Sequence, residues 1–298
     1  SGPEIYSRLS KSLIKNGINV ININMVTTPL TYFSGIKYSN GNAVMITGSH
    51  NPPEYNGFKV MIKGLALAGS EILEIYEFAT NKDKSNQVGS SAIEILKNPF
   101  EEYLKVIAET INLKKKLNIL IDCGNGVAGK YASTVYESLG CKVKCLYCEV
   151  DGTFPNHHPD PSKPENLKDL INSLKNHEEF DIGFAFDGDA DRLGVVTKDG
   201  NIIYPDRQMI LFSEHVLKTK PNSQIIFDVK CSKNLNDAIK KNNGVPIMYK
   251  TGHSLIKKKM KELDIPLGGE MSGHIFFNDK WFGFDDGIYA GCRLLEIL

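Results

Sequence analysis

Two groups of residues in this sequence combine types and spacing that could do chemistry, and the first is a serine with basic neighbours. An apolar run typical of a strand leads to Ser49, which is followed directly by His50 and ten residues later by Lys59. Paired prolines and an Asn-Gly turn stiffen the loop between them. Such rigidity favours a hydroxyl that is presented to a ligand. An ordinary turn whose serine bonds only to backbone is the alternative.

The second group is a run of three carboxylates, Asp187, Asp189 and Asp191, after a buried-type strand. Three anions this close repel one another unless a cation or bound protons relieve them. Mg²⁺ takes oxygen ligands and keeps positions open for water or a phosphate oxygen, so the run predicts a magnesium site. An EF-hand is excluded, because Arg192 and Lys198 stand where that loop needs Gly and Glu. A solvated acidic turn is the other alternative.

A strand followed by Asp-x-Asp also occurs in phosphotransferases that form an aspartyl phosphate, where the first carboxylate is the nucleophile. The third carboxylate, Asp191, and the separate loop with Ser49 argue against this mechanism. The serine is therefore the favoured acceptor of a phosphoryl group.

The elements that must position these residues alternate between strands and helices, which predicts α/β units with mixed sheets that contain a parallel portion. Strands predicted over 43–47 and 58–62 bracket the serine loop, and a strand over 181–186 leads into the carboxylates. The third unit has predicted strands at 225–229 and 245–249. The polar stretch 81–91 reads as an exposed loop.

A glycine-rich segment offers a competing function. Gly124, Gly126 and Gly129 follow the predicted strand 117–121 with the spacing of a dinucleotide-binding fingerprint, and Glu149 lies near the distance expected for a ribose partner. This pattern supports a nucleotide-binding oxidoreductase as the alternative function. The simpler interpretation is a tight strand-to-helix turn whose glycines allow close packing.

Six cysteines in a chain of this size predict free thiols in a reducing compartment. Cys141, Cys145 and Cys148 have the spacing of an iron-sulfur ligand set. Strand alternation, however, would point Cys145 and Cys148 to opposite faces. We therefore expect these thiols to act as packing residues.

The composition is that of an ordinary globular enzyme. The chain has 298 residues, 41% of them hydrophobic, and a net charge of +0. There is no basic bias toward nucleic acid, and no signal peptide or long apolar span, so we expect a cytoplasmic protein with neither nucleic-acid nor membrane partners. The run Lys257-Lys258-Lys259 lies in a helical pattern and is expected to be a solvated face.

Together these motifs resemble the phosphohexomutase superfamily, and most closely its bacterial phosphomannomutase/phosphoglucomutase branch. The resemblance is carried by TGSHNP at 47–52, DGDADR at 187–192 and GEMSGH at 269–274. DVKC at 228–231 and KTGHS at 250–254 extend it across the chain. It implies an isomerase of carbohydrate metabolism, an intramolecular phosphotransferase that interconverts hexose 1-phosphates and hexose 6-phosphates.

The resemblance also implies the central chemistry. Ser49 would be the phosphoserine, which donates its phosphoryl group to a hexose phosphate and recovers the other phosphate from a hexose 1,6-bisphosphate intermediate, also the activator. Asp187, Asp189 and Asp191 would hold one Mg²⁺ together with the Ser49 phosphate. Arg192 would supply a fixed positive partner.

Further roles follow from the same resemblance. His50, Lys59 and His274 are the candidates for proton transfer to and from the sugar hydroxyl. Glu270 and Ser272 match the sugar-binding loop, and the Glu-Met-Ser form favours glucose and mannose phosphates as substrates. The remaining candidates for contact with substrate are Lys230 and His253, for which a solvated lysine and a hydrogen-bonded histidine are the simpler alternatives.

The implied fold is three consecutive α/β domains around a central active-site cleft. We expect a partial first domain with the phosphoserine loop at 1–96, a second domain with the metal-binding loop at 97–200, and a third with the sugar-binding loop at 201–298. The family's fourth domain and part of the first have no counterpart in this sequence. We therefore also carry the alternative of a phosphosugar-binding fragment without turnover.

Overall fold

The computed structural model describes residues 2–52, 54–80 and 92–298. The stretch 81–91, predicted as an exposed loop, lies outside the described residues. Among the described helices, none combines the length and apolarity that crossing a bilayer requires.

The first unit places the serine loop between two paired strands. β2 (Ala43–Thr47) and β3 (Gly57–Ile62) are antiparallel, which confirms both predicted strands, and the short β4 (Leu65–Ala66) continues this sheet. A separate parallel pair is formed by β1 (Val20–Asn22) and β5 (Glu94–Leu96). The helices of this unit are α1 (Gly2–Lys15), α2 (Thr28–Tyr38) and α3 (Ser70–Thr80).

The second unit is a five-stranded mixed sheet with the strand order β10-β9-β8-β6-β7. β6 pairs in parallel with both β7 and β8, so the carboxyl ends of these strands meet at one edge of the sheet. Its strands are β6 (Asn118–Asp122), β7 (Lys142–Leu146), β8 (Ile182–Phe186), β9 (Leu193–Thr197) and β10 (Ile202–Ile203). Its helices are α4 (Phe100–Thr110), α5 (Ala132–Ser138) and α6 (Lys168–Asn176).

The third unit repeats this design with the strand order β12-β11-β13-β14. The first three strands are parallel and the last is antiparallel, as the alternation of strands and helices predicts. Its strands are β11 (Gln224–Asp228), β12 (Val245–Tyr249), β13 (Leu267–Gly269) and β14 (Ile275–Phe277). Its helices are α7 (Pro205–Thr219), α8 (Lys233–Lys241), α9 (His253–Leu263) and α10 (Gly287–Ile297).

One apolar core connects the three units. Phe33 of α2 packs with its ring centroid 5.5 Å from Tyr103 of α4 and 6.1 Å from Trp281, which precedes α10. Tyr136 of α5 likewise packs 5.6 Å from Phe184 of β8. All five side chains are buried in a single cluster. Because this shared core fixes the units against one another, it also fixes where their loops meet.

The expectation that Cys145 and Cys148 point to opposite faces is wrong. β7 ends at Leu146, and Tyr147 takes a left-handed backbone conformation with φ 54°. Strand alternation therefore stops before Cys148, and its sulfur turns back to contact that of Cys145. Cys123, Cys141, Cys231 and Cys292 are free thiols as expected, and the sulfur contact between Cys145 and Cys148 departs from that expectation.

Candidate active site

The serine loop meets the acidic loop directly. The Ser49 hydroxyl donates to Asp189 Oδ1 at 2.9 Å, and its Oγ lies 3.2 Å from Asp187 Oδ2. Both carboxylates follow β8, and Ser49 follows β2 with a left-handed φ of 52°. Residues 140 positions apart in the chain thus share one site.

Glycines at the acidic loop allow this approach. A Cβ atom on Gly188 would clash with the carbonyl oxygen of Ser49, so only glycine lets the two loops pack together. On its other side Gly188 contacts the glycine-rich turn, where a Cβ on Gly126 would lie 2.9 Å from the Gly188 oxygen. A Cβ on Gly129 would clash with the Cys148 carbonyl. These glycines therefore serve close packing, and the dinucleotide alternative has no support in this turn.

The three carboxylates could hold a divalent cation. Asp187, Asp189 and Asp191 are buried and offer ligand oxygens that all lie within 4.8 Å of one another. The buried Oδ1 of Asp191 has no hydrogen-bond partner among the residues that the structure describes. Clustered carboxylate oxygens with an unsatisfied buried member are what a hard ion such as Mg²⁺ prefers, so the donor set fits that ion.

Two cations, the partly buried Lys59 and the buried Arg192, already balance part of this charge. Lys59 Nζ, from β3, lies 2.7 Å from Asp189 Oδ2 and 2.6 Å from Asp191 Oδ2. Arg192 donates from Nε to Asp187 Oδ2 at 2.9 Å and from a terminal nitrogen to Asp160 Oδ1 at 2.9 Å.

The carboxylates respond differently to these surroundings. Burial raises the pKa of Asp187 to about 7, and the charge of Arg192 offsets the burial only in part. Burial also disfavours the charged form of Asp189. There the charge and hydrogen bond of Lys59, with hydrogen bonds from Thr28 and Ser49, outweigh burial and lower the pKa. Asp189 is therefore held ionised, whereas burial disfavours the charge of Asp187.

His50 links the serine to the arginine. Its Nδ1 accepts from Arg192 at 2.7 Å and lies 3.1 Å from the Ser49 oxygen. Burial, and then the charge of Arg192, lower the pKa of His50. The ring is therefore neutral near pH 7, and Nδ1, which accepts from the guanidinium, carries the lone pair.

The third unit brings His274 to the same site. An isolated antiparallel bridge joins His274 to Arg192. His274 Nδ1 lies 2.9 Å from Asp285 Oδ2 and 3.5 Å from Asp191 Oδ1. Burial lowers the pKa of His274, but the charges of Asp191 and Asp285 outweigh it and the net shift is upward. The His253 ring stacks on the His274 ring with the centroids 5.1 Å apart, and burial lowers the pKa of His253 to about 4.

Several residues of this network were missed from the sequence. Asp285 is one of them, and its Oδ1 accepts from Lys257 Nζ at 2.7 Å. Lys257 is buried, so the expectation of a solvated face at 257–259 is wrong for this residue. Lys257 follows His253 by four residues, so the two lie on one helix face, and this spacing could have indicated that Lys257 belongs to the site. Thr28, the first residue of α2, donates from Oγ1 to Asp189 Oδ2 at 2.6 Å.

The predicted sugar-binding residues lie next to this network. Glu270 is buried and accepts from the Gly252 amide at 2.5 Å, and Ser272 Oγ lies 3.4 Å from Glu270 Oε2. Burial raises the pKa of Glu270. Lys230 has a half-exposed side chain with Nζ 3.6 Å from Asp228 Oδ2. His50, Lys59, Arg192 and His274 therefore reach the serine or the acidic loop. The contacts described for Lys230, His253, Glu270 and Ser272 stay within the third unit.

The fold and site together define a chain of consecutive alpha/beta/alpha domains with a serine facing an acidic loop. Family models described as phosphoglucomutase/phosphomannomutase alpha/beta/alpha domains I, II and III match residues 1–86, 101–200 and 204–298. The chain belongs to the phosphoglucomutase/phosphomannomutase family. This confirms the predicted family and fold class.

Named relatives agree with this membership. The chain is 54% identical to a phosphoglucomutase of Neisseria gonorrhoeae and 52% identical to a phosphomannomutase/phosphoglucomutase of Pseudomonas aeruginosa. Each match covers 100% of this chain and 64% of the relative. A crystal structure of a phosphoglucomutase/phosphomannomutase family protein from Burkholderia thailandensis superposes with a TM-score of 0.94 at 48% identity, over 99% of this chain and 65% of that one. The chain thus spans less than two thirds of the length of these relatives.

Proposed function

We propose that this chain supplies the phosphoserine, metal and sugar-binding residues of a phosphohexomutase that interconverts hexose 1-phosphates and hexose 6-phosphates, with glucose and mannose phosphates as substrates. The single observation that carries the proposal is the contact between the Ser49 hydroxyl and the carboxylates of Asp187 and Asp189. The names of the relatives support the substrate class. We place the reaction in the cytoplasm, where sugar phosphates are made, and retain 1–96, 97–200 and 201–298 as proposed domain boundaries.

The proposed chemistry transfers a phosphoryl group between two oxygens. A sugar hydroxyl attacks the phosphorus of phosphorylated Ser49, the bond from phosphorus to Oγ breaks, and the sugar proton passes to His274 in its neutral form, which gives a proton back in the reverse transfer. A hexose 1,6-bisphosphate results, and its other phosphate returns to Ser49 after the intermediate turns around. Asp187, Asp189 and Asp191 would hold Mg²⁺, which neutralises negative charge on the transferring phosphate oxygens.

The surrounding side chains would take distinct roles. Arg192 bonds to Asp187 and Asp160, and Lys59 lies between Asp189 and Asp191, so both are fixed positive charges. Lys59 is a poor base because its pKa is raised well above the usual value. Neutral His50, whose Nδ1 accepts from Arg192, would hold the guanidinium beside Ser49. His274 holds a proton beside Asp285 and is the favoured proton donor. Glu270 and Ser272 would bond to sugar hydroxyls.

Intact mass spectrometry tests the first half of the proposal. The chain is incubated with glucose 1,6-bisphosphate and Mg²⁺, and one added phosphoryl group is expected. The group must be absent in Ser49→Ala and present in Ser138→Ala, a matched serine on α5 that bonds to Val135. A phosphoryl group that persists in Ser49→Ala would contradict the assignment.

A conversion assay between glucose 1-phosphate and glucose 6-phosphate tests the second half. Phosphorylation with conversion supports a mutase. Phosphorylation without conversion supports the phosphosugar-binding alternative. Tight binding of a nicotinamide dinucleotide without phosphorylation would favour the oxidoreductase and overturn the proposal.

A further inference from the structure

Three sulfur atoms collect at the carboxyl ends of β6 and β7, outside the proposed phosphoryl-transfer site. The sulfur atoms of Cys145 and Cys148 are in contact, and their Cα atoms lie 6.1 Å apart, which is within the range that disulfides adopt. Cys123 Sγ lies 3.9 Å from Cys145 Sγ and 3.6 Å from Cys148 Sγ. Cys141, which the sequence pattern grouped with this pair, lies outside the cluster of sulfurs within 4.8 Å of one another.

The surroundings favour uncharged sulfur. Cys123 is fully buried, and burial followed by the charge of Asp122 raises the pKa of its thiol well above the usual value. A soft metal ion would need up to three thiolates here, whereas a disulfide carries no charge. Cys145 and Cys148 are only half-buried, so small thiol reagents can reach them.

We propose that Cys145 and Cys148 form a reversible redox-active disulfide, while Cys123 stays a thiol. The oxidant is a low-molecular-weight disulfide such as oxidised glutathione. One cysteine thiolate attacks it and displaces a glutathione thiolate, and the second cysteine thiolate then attacks the mixed disulfide and displaces the other glutathione. The two cysteines lose two electrons and two protons, and one oxidised glutathione becomes two glutathione thiols.

Backbone hydrogen bonds connect this disulfide to the acidic loop. The Asn125 amide donates to the Tyr147 carbonyl at 2.8 Å, inside the disulfide-closed turn. In the same glycine-rich segment the Val127 amide donates to the Gly188 carbonyl at 3.0 Å. The disulfide therefore holds a turn that packs behind the residues between Asp187 and Asp189. We expect slower amide hydrogen exchange at 123–127 and 146–149 in the oxidised protein than in the reduced protein.

Thiol counting tests the proposal. Reduced protein is treated with oxidised glutathione, then unfolded and alkylated with N-ethylmaleimide. Two of the six cysteines should escape alkylation, map to Cys145 and Cys148 in peptide digests, and become reactive again with dithiothreitol. Protection should vanish in Cys145→Ser and remain in Cys141→Ser, a buried free cysteine that serves as control.

Three results would overturn the proposal. In the first, all six cysteines of the oxidised wild type react. In the second, protection persists in Cys145→Ser through a bond between Cys123 and Cys148. In the third, the reduced protein binds one zinc ion per chain that blocks oxidation. If the serine variants fail to fold by circular dichroism, the peptide map of the wild type decides the pairing alone.

Discussion

His274 Nδ1 lies 2.9 Å from Asp285 Oδ2, and the same nitrogen lies 3.5 Å from Asp191 Oδ1 in the acidic loop of the second unit. Asp285 also binds Lys257, so one buried carboxylate holds two cationic groups in place beside the site. The geometry makes Asp285 a positioning residue for His274.

We predict that Asp285→Asn reduces the pH dependence of stability. Because the folded pKa of His274 is raised, its charge contributes stability that is fully present below the unfolded pKa of about 6.5 and is lost as pH rises through the folded value. The variant lowers that folded pKa, so the loss on going from about pH 6 to about pH 8 should shrink. Urea unfolding at both pH values measures it. If the variant and the wild type lose the same stability between the two pH values, His274 and Asp285 do not form an ion pair in solution.

Lys257→Met should destabilise the fold by about 3 kcal/mol, because it leaves the Asp285 carboxylate buried with one cation fewer. Lys258→Met is the matched control on the next residue, where the lysine is half-exposed and pairs with Glu71 at the surface. We expect the control to unfold at nearly the wild-type urea concentration. Equal midpoints for the two variants would show that Lys257 is not part of a buried pair in solution.

Asp189→Asn should weaken Mg²⁺ binding and phosphorylation of Ser49 without unfolding the chain, because the residue lies in a loop at a strand end. We expect a loss of at least about tenfold in metal affinity, since a charged ligand is replaced by a neutral one. Calorimetric titration of Mg²⁺ measures it, and Asp199→Asn, an exposed carboxylate in the turn after β9, is the control. Wild-type affinity in Asp189→Asn would remove this residue from the metal site.

Gly188→Ala should push the serine loop away from the carboxylates, since the new methyl group would clash with the Ser49 carbonyl. A displacement of this kind at reacting groups costs about a hundredfold in rate. The rate of Ser49 phosphorylation should fall accordingly, while Gly152→Ala, whose Cβ would meet nothing within 4 Å, should keep the wild-type rate. A wild-type rate in Gly188→Ala would mean that the two loops pack differently during the reaction.

The site could be predicted from the sequence where local pattern decides the geometry. Ser49 and Asp187 each follow a recognisable apolar strand, and loops at strand ends are where ligands bind in α/β folds. Asp285 carried no such signal, and Lys257 showed only its four-residue spacing from His253, because their pairing depends on how α9 packs within the third unit. The serine-to-acid contact itself was predicted only through family resemblance.

The contact between Cys145 and Cys148 shows the limit of periodicity. Alternation along β7 is correct up to Leu146, but the left-handed turn at Tyr147 ends it one residue before Cys148. A non-glycine residue at positive φ is uncommon, so a pattern argument has no reason to expect it.

The most direct test of the central claim is a crystal structure of the chain soaked with Mn²⁺, which replaces Mg²⁺ and scatters anomalously. We predict one anomalous peak about 2.1 Å from oxygens of Asp187, Asp189 and Asp191, with the Ser49 oxygen or its phosphate on the same ion. A peak elsewhere, or a Ser49 oxygen too far from the acids to share that ion, would contradict the proposed function.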